Sequence, residues 1–334
     1  MGSPAAVLRW PGIFCFEQHI ININYSLYKL ALAVGKFPPT GQNAGKGCKM
    51  QIRTDLAVEQ QELCAEKPRG VESTVTKKNG VIVDKIVVKT AEGAAALGKP
   101  VGTYITVQTP PFSRDVPTLG QVQAVAGELK AFLPFGGTVL VAGLGNTKIT
   151  PDALGPKTAA NIFATRHIGK ELAKAAGLSK ARSVAVLAPG VLGQTGIETA
   201  EIIKSVAQKI KPTAVIAVDA LASRRIERLG CTVQIADSGI EPGAGVGNAR
   251  NELSRKTLGV PVIAVGVPTV VDASTLIYDL IGKDDVAEPE GRKMIVTPRE
   301  IDLIIARASK FLANCLNTAL QPDLEPELLS QMLD

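Results

Sequence analysis

Five short runs, almost wholly apolar and rich in β-branched residues, recur in the middle of this chain. They are "TVLVAG" (138–143), "SVAVLAP" (183–189), "TAVIAVD" (213–219), "TVQIAD" (232–237) and "VPVIAVG" (260–266). None shows the alternation of a strand with one wet face, and segments with helical spacing lie between them at 157–178, 196–210 and 270–281. Strands that are apolar on both faces and alternate with helices imply a parallel sheet buried on both sides. A longer helix is expected at 297–320, with Thr297 as its cap, Pro298 at its first position and acids in its first turn.

Upstream the pattern changes to period two. "GVIVDKIVVKT" (80–90) and "VGTYITVQT" (101–109) read as antiparallel strands with one wet face, followed by a helix over 118–133. The expected architecture is therefore a single α/β domain over 51–334. It has a mostly parallel sheet with helices on both faces and an N-terminal antiparallel β embellishment.

Residues 1–50 read as foreign to that domain. They hold net +4 of the chain's +6 formal charge, the only tryptophan and one of the two histidines. They are expected to be a non-native or disordered leader, with Met50 as a candidate initiator. The small positive balance left to the remainder gives no clustered basic footprint, so no direct nucleic-acid partner is expected. No run of 18 apolar residues points to a membrane. Five widely spaced cysteines without a C-x-x-C pair fit free thiols in a reducing, cytoplasmic setting.

In open α/β sheets the site lies beyond the carboxyl ends of the strands. Asp152 falls in the loop after the first run, Asp219 closes the third and Asp237 closes the fourth, so several acids are expected to converge on one crevice. Competing chemistries are thinly supplied. Gly143 and Gly145 begin a dinucleotide fingerprint, but Lys148 stands where its third glycine belongs, and the glycine-rich 242–250 stretch has no G-K-[ST] ending. His167, the one histidine beyond the leader, sits in an expected helix body, and no G-x-S-x-G elbow is present. Either aspartate alone reads equally as a helix cap. Together they favour an acid/base pair, with an all-carboxylate metal site and a non-enzymatic nucleotide-binding module left as alternatives.

Several longer motifs then carry a resemblance. "RTDLAVE" (53–59), "GLGN…TPDALGP" (143–156), "IAVDALASRRIER" (216–228), "DSGIEPGAGVGNARNELS" (237–254) and "VTPREID" (296–302) stand in order. In these the chain resembles the germination proteases of endospore-forming bacteria, endopeptidases that degrade small acid-soluble spore proteins. The resemblance implies a fold related to the hydrogenase-maturation proteases, a homotetramer, and a zymogen made in the forespore and used in the spore core. It also implies an atypical aspartic mechanism whose two essential acids match Asp152 and Asp219. No cofactor is implied, although in the related maturation proteases corresponding acids bind a metal ion, which keeps a divalent metal open. Autoprocessing is implied between Asp55 and Leu56, making 51–55 the end of a propeptide. Amides near Gly145 or Gly239 are the expected oxyanion donors. One departure is the short 282–298 stretch, where longer members carry an insert.

Overall fold

The computed structural model describes residues 52–241, 252–281 and 294–324. The first part comprises α1 (Ala57–Leu63), the hairpin β1 (Val71–Lys78) and β2 (Val81–Val88), α2 (Ala91–Leu97), β3 (Gly102–Gln108) and α3 (Leu119–Lys130). Next come β4 (Val139–Gly143), a 3-10 turn (Thr150–Asp152), α4 (Leu154–Ala159), α5 (Lys170–Ala175) and β5 (Val184–Leu187). They are followed by α6 (Leu192–Thr195), α7 (Thr199–Ile210), β6 (Ala214–Ser223) and β7 (Thr232–Ala236). The last elements are α8 (Arg255–Leu258), β8 (Val262–Asp272), α9 (Ala273–Ile281), β9 (Ile295–Val296) and α10 (Ile301–Leu320). The leader expected over 1–50, the glycine-rich 242–250 stretch and most of the short 282–298 segment lie outside the described residues.

All the strands among the described residues join one mixed sheet in the order β1-β2-β3-β7-β8-β6-β4-β5, with β9 paired to β8. The expected parallel sheet is present as β5-β4-β6-β8, and every other pairing is antiparallel. Helices bury both faces of the parallel half. Val141, Ile216, Val218 and Val265 pack in one core with residues of α3, α4 and α10. Leu140, Ala142, Val215 and Ala217 pack in another with Ala200, Ile203 and Ala207 of α7. The upstream strands extend the same sheet through β3–β7 pairing, so the embellishment is continuous with the main body.

α3 starts where the sequence implies. Thr118 Oγ1 accepts from the Gln121 amide (3.4 Å) and Gln121 Oε1 accepts from the Thr118 amide (2.9 Å), a reciprocal cap.

Elsewhere long-range bonds overrule local pattern. The run 232–237 is antiparallel to both neighbours, because the eight residues 224–231 that precede it are too few for a helical crossover. The helix expected over 157–178 is two short ones. Between them Thr165 and Arg166 donate their amides to Val184 O at 3.0 Å, and Thr165 Oγ1 accepts from the Val184 amide at 2.8 Å. β5 is an edge strand, and its open backbone groups draw that segment out of the helix. His167 consequently lies exposed in a turn and not in a helix body. α10 begins at Ile301 because Thr297 spends its hydroxyl on Thr269 O (2.9 Å) beside β9 instead of capping.

Candidate active site

Asp219 does not close its strand; β6 runs on to Ser223, so the carboxyl rises from a strand interior and caps no helix. It is buried, and its Oδ1 accepts from the Ala220 amide at 2.9 Å. Register places it in a row with two other residues. Asp219 pairs with Gly266 of β8, and Gly266 pairs with Gln234 of β7. Directly paired residues project to the same face, so Asp219 and Gln234 flank a position that has no side chain. A Cβ on Gly266 would lie 2.6 Å from Asp219 O and 2.6 Å from Leu221 Cγ. The row floors a cavity of ≈ 240 Å³ whose wall also includes Asp55, Lys99, Tyr104 and Gly239. Burial pushes the Tyr104 phenol up to about 12, so it stays protonated at neutral pH.

The "RTDLAVE" segment meets this cavity at Asp55 and is held there largely through its backbone. The Asp55 amide donates to Ala222 O (2.9 Å), and the Ala222 amide donates to Asp55 Oδ2 (2.7 Å), so Asp55 is clasped to β6 by one backbone and one side-chain bond. The Asp55 carbonyl oxygen accepts from Lys99 Nζ at 2.9 Å and from Gln234 Nε2 at 2.8 Å. Gln234 Oε1 then accepts from the Ala57 amide at 2.7 Å, so one side-chain amide brackets Leu56, from the carbonyl before it to the amide after it. The Leu56 amide donates to Thr54 Oγ1 (3.0 Å), and the Leu56 side chain is fully buried.

Glu59 anchors the downstream side. Fully buried, it accepts from the amides of Arg224 (2.6 Å) and Arg225 (3.0 Å), from Arg228 Nη1 (3.1 Å) and from the Thr54 hydroxyl. Arg228 also pairs with Glu62 at 2.6 Å. A buried carboxylate with this many donors is compensated for its lost hydration.

Asp152 lies in the 3-10 turn beyond the carboxyl end of β4, half-buried. Ala153, not Asp152, occupies the cap position of α4, with no side-chain cap. The turn is seated on the neighbouring strand ends: the Leu144 amide donates to Val218 O (2.8 Å) and Thr269 Oγ1 donates to Pro151 O (2.9 Å). Gly145, at φ +114°, makes this possible, since a Cβ there would lie 2.0 Å from Asp152 O and 3.1 Å from Asp152 Oδ1. Gly143 and Gly155 are packed backbone against backbone in the same way. Here the glycines of the apparent fingerprint serve close packing of α4 on the sheet.

Asp55, Asp219 and Gly239 thus share one cavity, Leu56 is fully buried and outside its lining, and Asp152 and Gly145 adjoin each other at the end of β4. Asp237 does not converge with them. Because β7 is antiparallel, its carboxyl end points toward the start of β8, and Asp237 Oδ1 accepts from the Thr103 amide at 2.6 Å. Among the described residues no group of three or more His, Cys, Asp or Glu side chains is arranged to hold a metal ion. Likewise, no helix among them is long and apolar enough to cross a membrane.

Sequence reading missed Lys99, Gln234 and Gly266. A polar residue inside the apolar "TVQIA" and a glycine inside "VIAVGVPTVV" were the available signals for the last two. Nothing local marks Lys99.

A family model described as germination protease matches residues 50–284. A germination protease of Caldanaerobacter subterraneus subsp. tengcongensis is 42% identical over 318 residues, covering 84% of this chain and 98% of its own length. One of Clostridium perfringens is 40% identical over 323 residues (85% and 99%), and one of Bacillus licheniformis 36% over 351 residues (83% and 95%). Among solved structures, a NiFe hydrogenase maturation protease of Thermococcus kodakarensis superposes with a TM-score of 0.34 at 21% identity, over 58% of this chain and 98% of that one.

Proposed function

The chain belongs to the germination protease family, which makes it a peptidase of spore germination, and we propose that it initiates the degradation of small acid-soluble spore proteins by an aspartic mechanism. The observation that carries this reading is the Asp55–Leu56 peptide, whose carbonyl oxygen is gripped by Lys99 and Gln234 at the wall of the cavity that Asp219 also lines. A chain held by its backbone in this way is held as a substrate would be. In the same reading the protein is a zymogen that cuts itself between Asp55 and Leu56, and the emptied groove then receives the spore proteins. Assembly as a homotetramer and residence in the forespore and spore core belong to it as well.

Water is activated between Asp152 and Asp219. One carboxylate accepts a proton from the attacking water, and the other, protonated, delivers one to the departing nitrogen. Two nearby carboxylates share a proton readily because they resist joint ionisation. Amides at Gly145 and Gly239 contribute backbone donors to the oxyanion. Small DNA-coating proteins are poorly ordered once released, so they enter a cleft extended, and DNA binding protects them.

Incubation of wild type, Asp152→Asn and Asp219→Asn with a small acid-soluble spore protein tests this. Each variant is expected to lose ~10²–10⁴-fold in cleavage rate, the usual contribution of a positioned proton-transfer group. Retained activity in either variant refutes the pair. Loss of wild-type activity with a chelator, restored by a divalent cation, moves the reading to a metal-dependent peptidase using the same acids. N-terminal sequencing of the processed form is expected to begin at Leu56.

A further inference from the structure

We propose that Lys99 and Gln234 are the side-chain oxyanion donors of this peptidase, for its own precursor and for substrates cut in trans; the inference rests on the peptidase reading above. Lys99 Nζ (2.9 Å) and Gln234 Nε2 (2.8 Å) converge on a single carbonyl oxygen, that of Asp55, at the bond implied to be cut. They come from separate elements, the loop between α2 and β3 and the strand β7, so their convergence is a property of the tertiary fold.

Gln234 is oriented by its second bond. With Oε1 accepting from the Ala57 amide at 2.7 Å, its NH₂ is turned to the Asp55 carbonyl on the other side of Leu56. Both bonds go to backbone, so the same grip suits any residue entering in place of Asp55. Gln234 also stands two strands from Asp219 across the bare Gly266, with paired spacings of ~4.8 Å per strand. The carbonyl is therefore held over the same floor from which the acid rises. Lys99 Nζ makes a further contact with Thr54 O at 3.3 Å. It is half-buried, faced by Asp55, Glu59 and Glu241, and burial pulls its ammonium below the ordinary lysine range despite those three acids.

In the step itself the water oxygen bonds to the Asp55 carbonyl carbon, and the C=O π pair moves onto oxygen. The new negative charge is met by the Lys99 ammonium and the Gln234 amide, while the water proton passes to the basic carboxylate. On collapse the C–N bond breaks, its electron pair leaves on the Leu56 nitrogen, and that nitrogen takes a proton from the acidic carboxyl. Donors that tighten as charge develops lower the barrier without needing to tighten substrate binding.

The test uses processed enzyme beginning at Leu56, which lacks the Asp55 carbonyl, acting on a small acid-soluble spore protein as a separate molecule. Lys99→Met and Gln234→Leu are each expected to lower kcat by ~10²–10³-fold while KM changes by only a few-fold. Lys99→Arg, which keeps the charge, recovers part of the loss. A merely structural hold by Lys99 on the precursor segment predicts no kcat effect in this format, because both of its acceptors, Thr54 O and Asp55 O, are gone. If Lys99→Met does not fold, the wild type against Lys99→Arg decides. Wild-type kcat is expected to fall at alkaline pH, as the Lys99 ammonium loses its proton, and that limb moves upward in the arginine variant. Variants with kcat within a few-fold of wild type, or an alkaline limb unmoved by Lys99→Arg, overturn the inference. An inactive wild type overturns the peptidase reading and this inference together.

Discussion

In the parallel half of the sheet, β4, β5, β6 and β8 lie between helices, and their buried side chains are nearly all apolar. In the antiparallel half, β1 is exposed along most of its length, and β7 carries Thr232 and Gln234 among its buried positions. The acid Asp219 interrupts the first kind of strand and the carbonyl grip of Gln234 interrupts the second, side by side across β8. The contrast separates two requirements. In the proposed mechanism the proton-moving carboxyl is set in an apolar wall, whereas the grip on the bound carbonyl comes from a polar side chain on the neighbouring antiparallel strand. The cavity lies at the seam, where both kinds of strand line it.

The segment that ties the two halves together gives the largest expected effect. Glu59→Ala leaves Arg228 and two backbone amides without their buried partner, and should cost about 3–5 kcal/mol in urea unfolding. A small change there would mean that the segment is not held from below. The halves themselves are compared by Ile216→Ala and Val75→Ala. The first empties a fully buried site in the parallel half and should cost about 2–5 kcal/mol; the second alters an exposed valine of β1 and should stay within about 0.5 kcal/mol. Equal losses would erase the distinction.

At the seam, Gly266→Ala sets a methyl against Asp219 O and Leu221. It is expected to cost about 1–3 kcal/mol and to reduce cleavage of a spore-protein substrate more than that stability loss explains. The smallest effect is on acid stability. Burial raises the Glu62 carboxyl, but the hydrogen bond and charge of Arg228, joined by Arg225 and Arg224, outweigh it and hold it below the ordinary value of 4.5. A carboxyl depressed in the folded state stabilises fully above its unfolded value and loses that contribution as pH falls through the folded one. The melting temperature of wild type should therefore drop more steeply below pH 4.5 than that of Glu62→Gln.

How much of this was legible in the sequence follows the same seam. The parallel half was readable because strands buried on both faces must be apolar throughout, so β4, β5, β6 and β8 announce themselves. Asp219 stood out for the same reason, as a carboxyl at the end of an apolar run. The direction of β7 was not readable, since an apolar run is compatible with either sense, and the length of the preceding connection decides it. With that direction reversed, Asp237 left the expected cluster and turned to Thr103. Lys99 and Gln234 were invisible for a further reason. Each acts through one or two bonds to backbone more than forty residues away, and no local spacing encodes such a meeting.

The grips on either side of Asp55–Leu56 are unequal. Downstream, the chain is rooted through Glu59 and the helix behind it, while upstream Asp55 holds on by bonds to Ala222, Lys99 and Gln234. If the bond is parted there, the shorter fragment becomes a squatter on the very donors the next chain requires. Onset of turnover would then trail scission by a dead time set by how fast that fragment leaves.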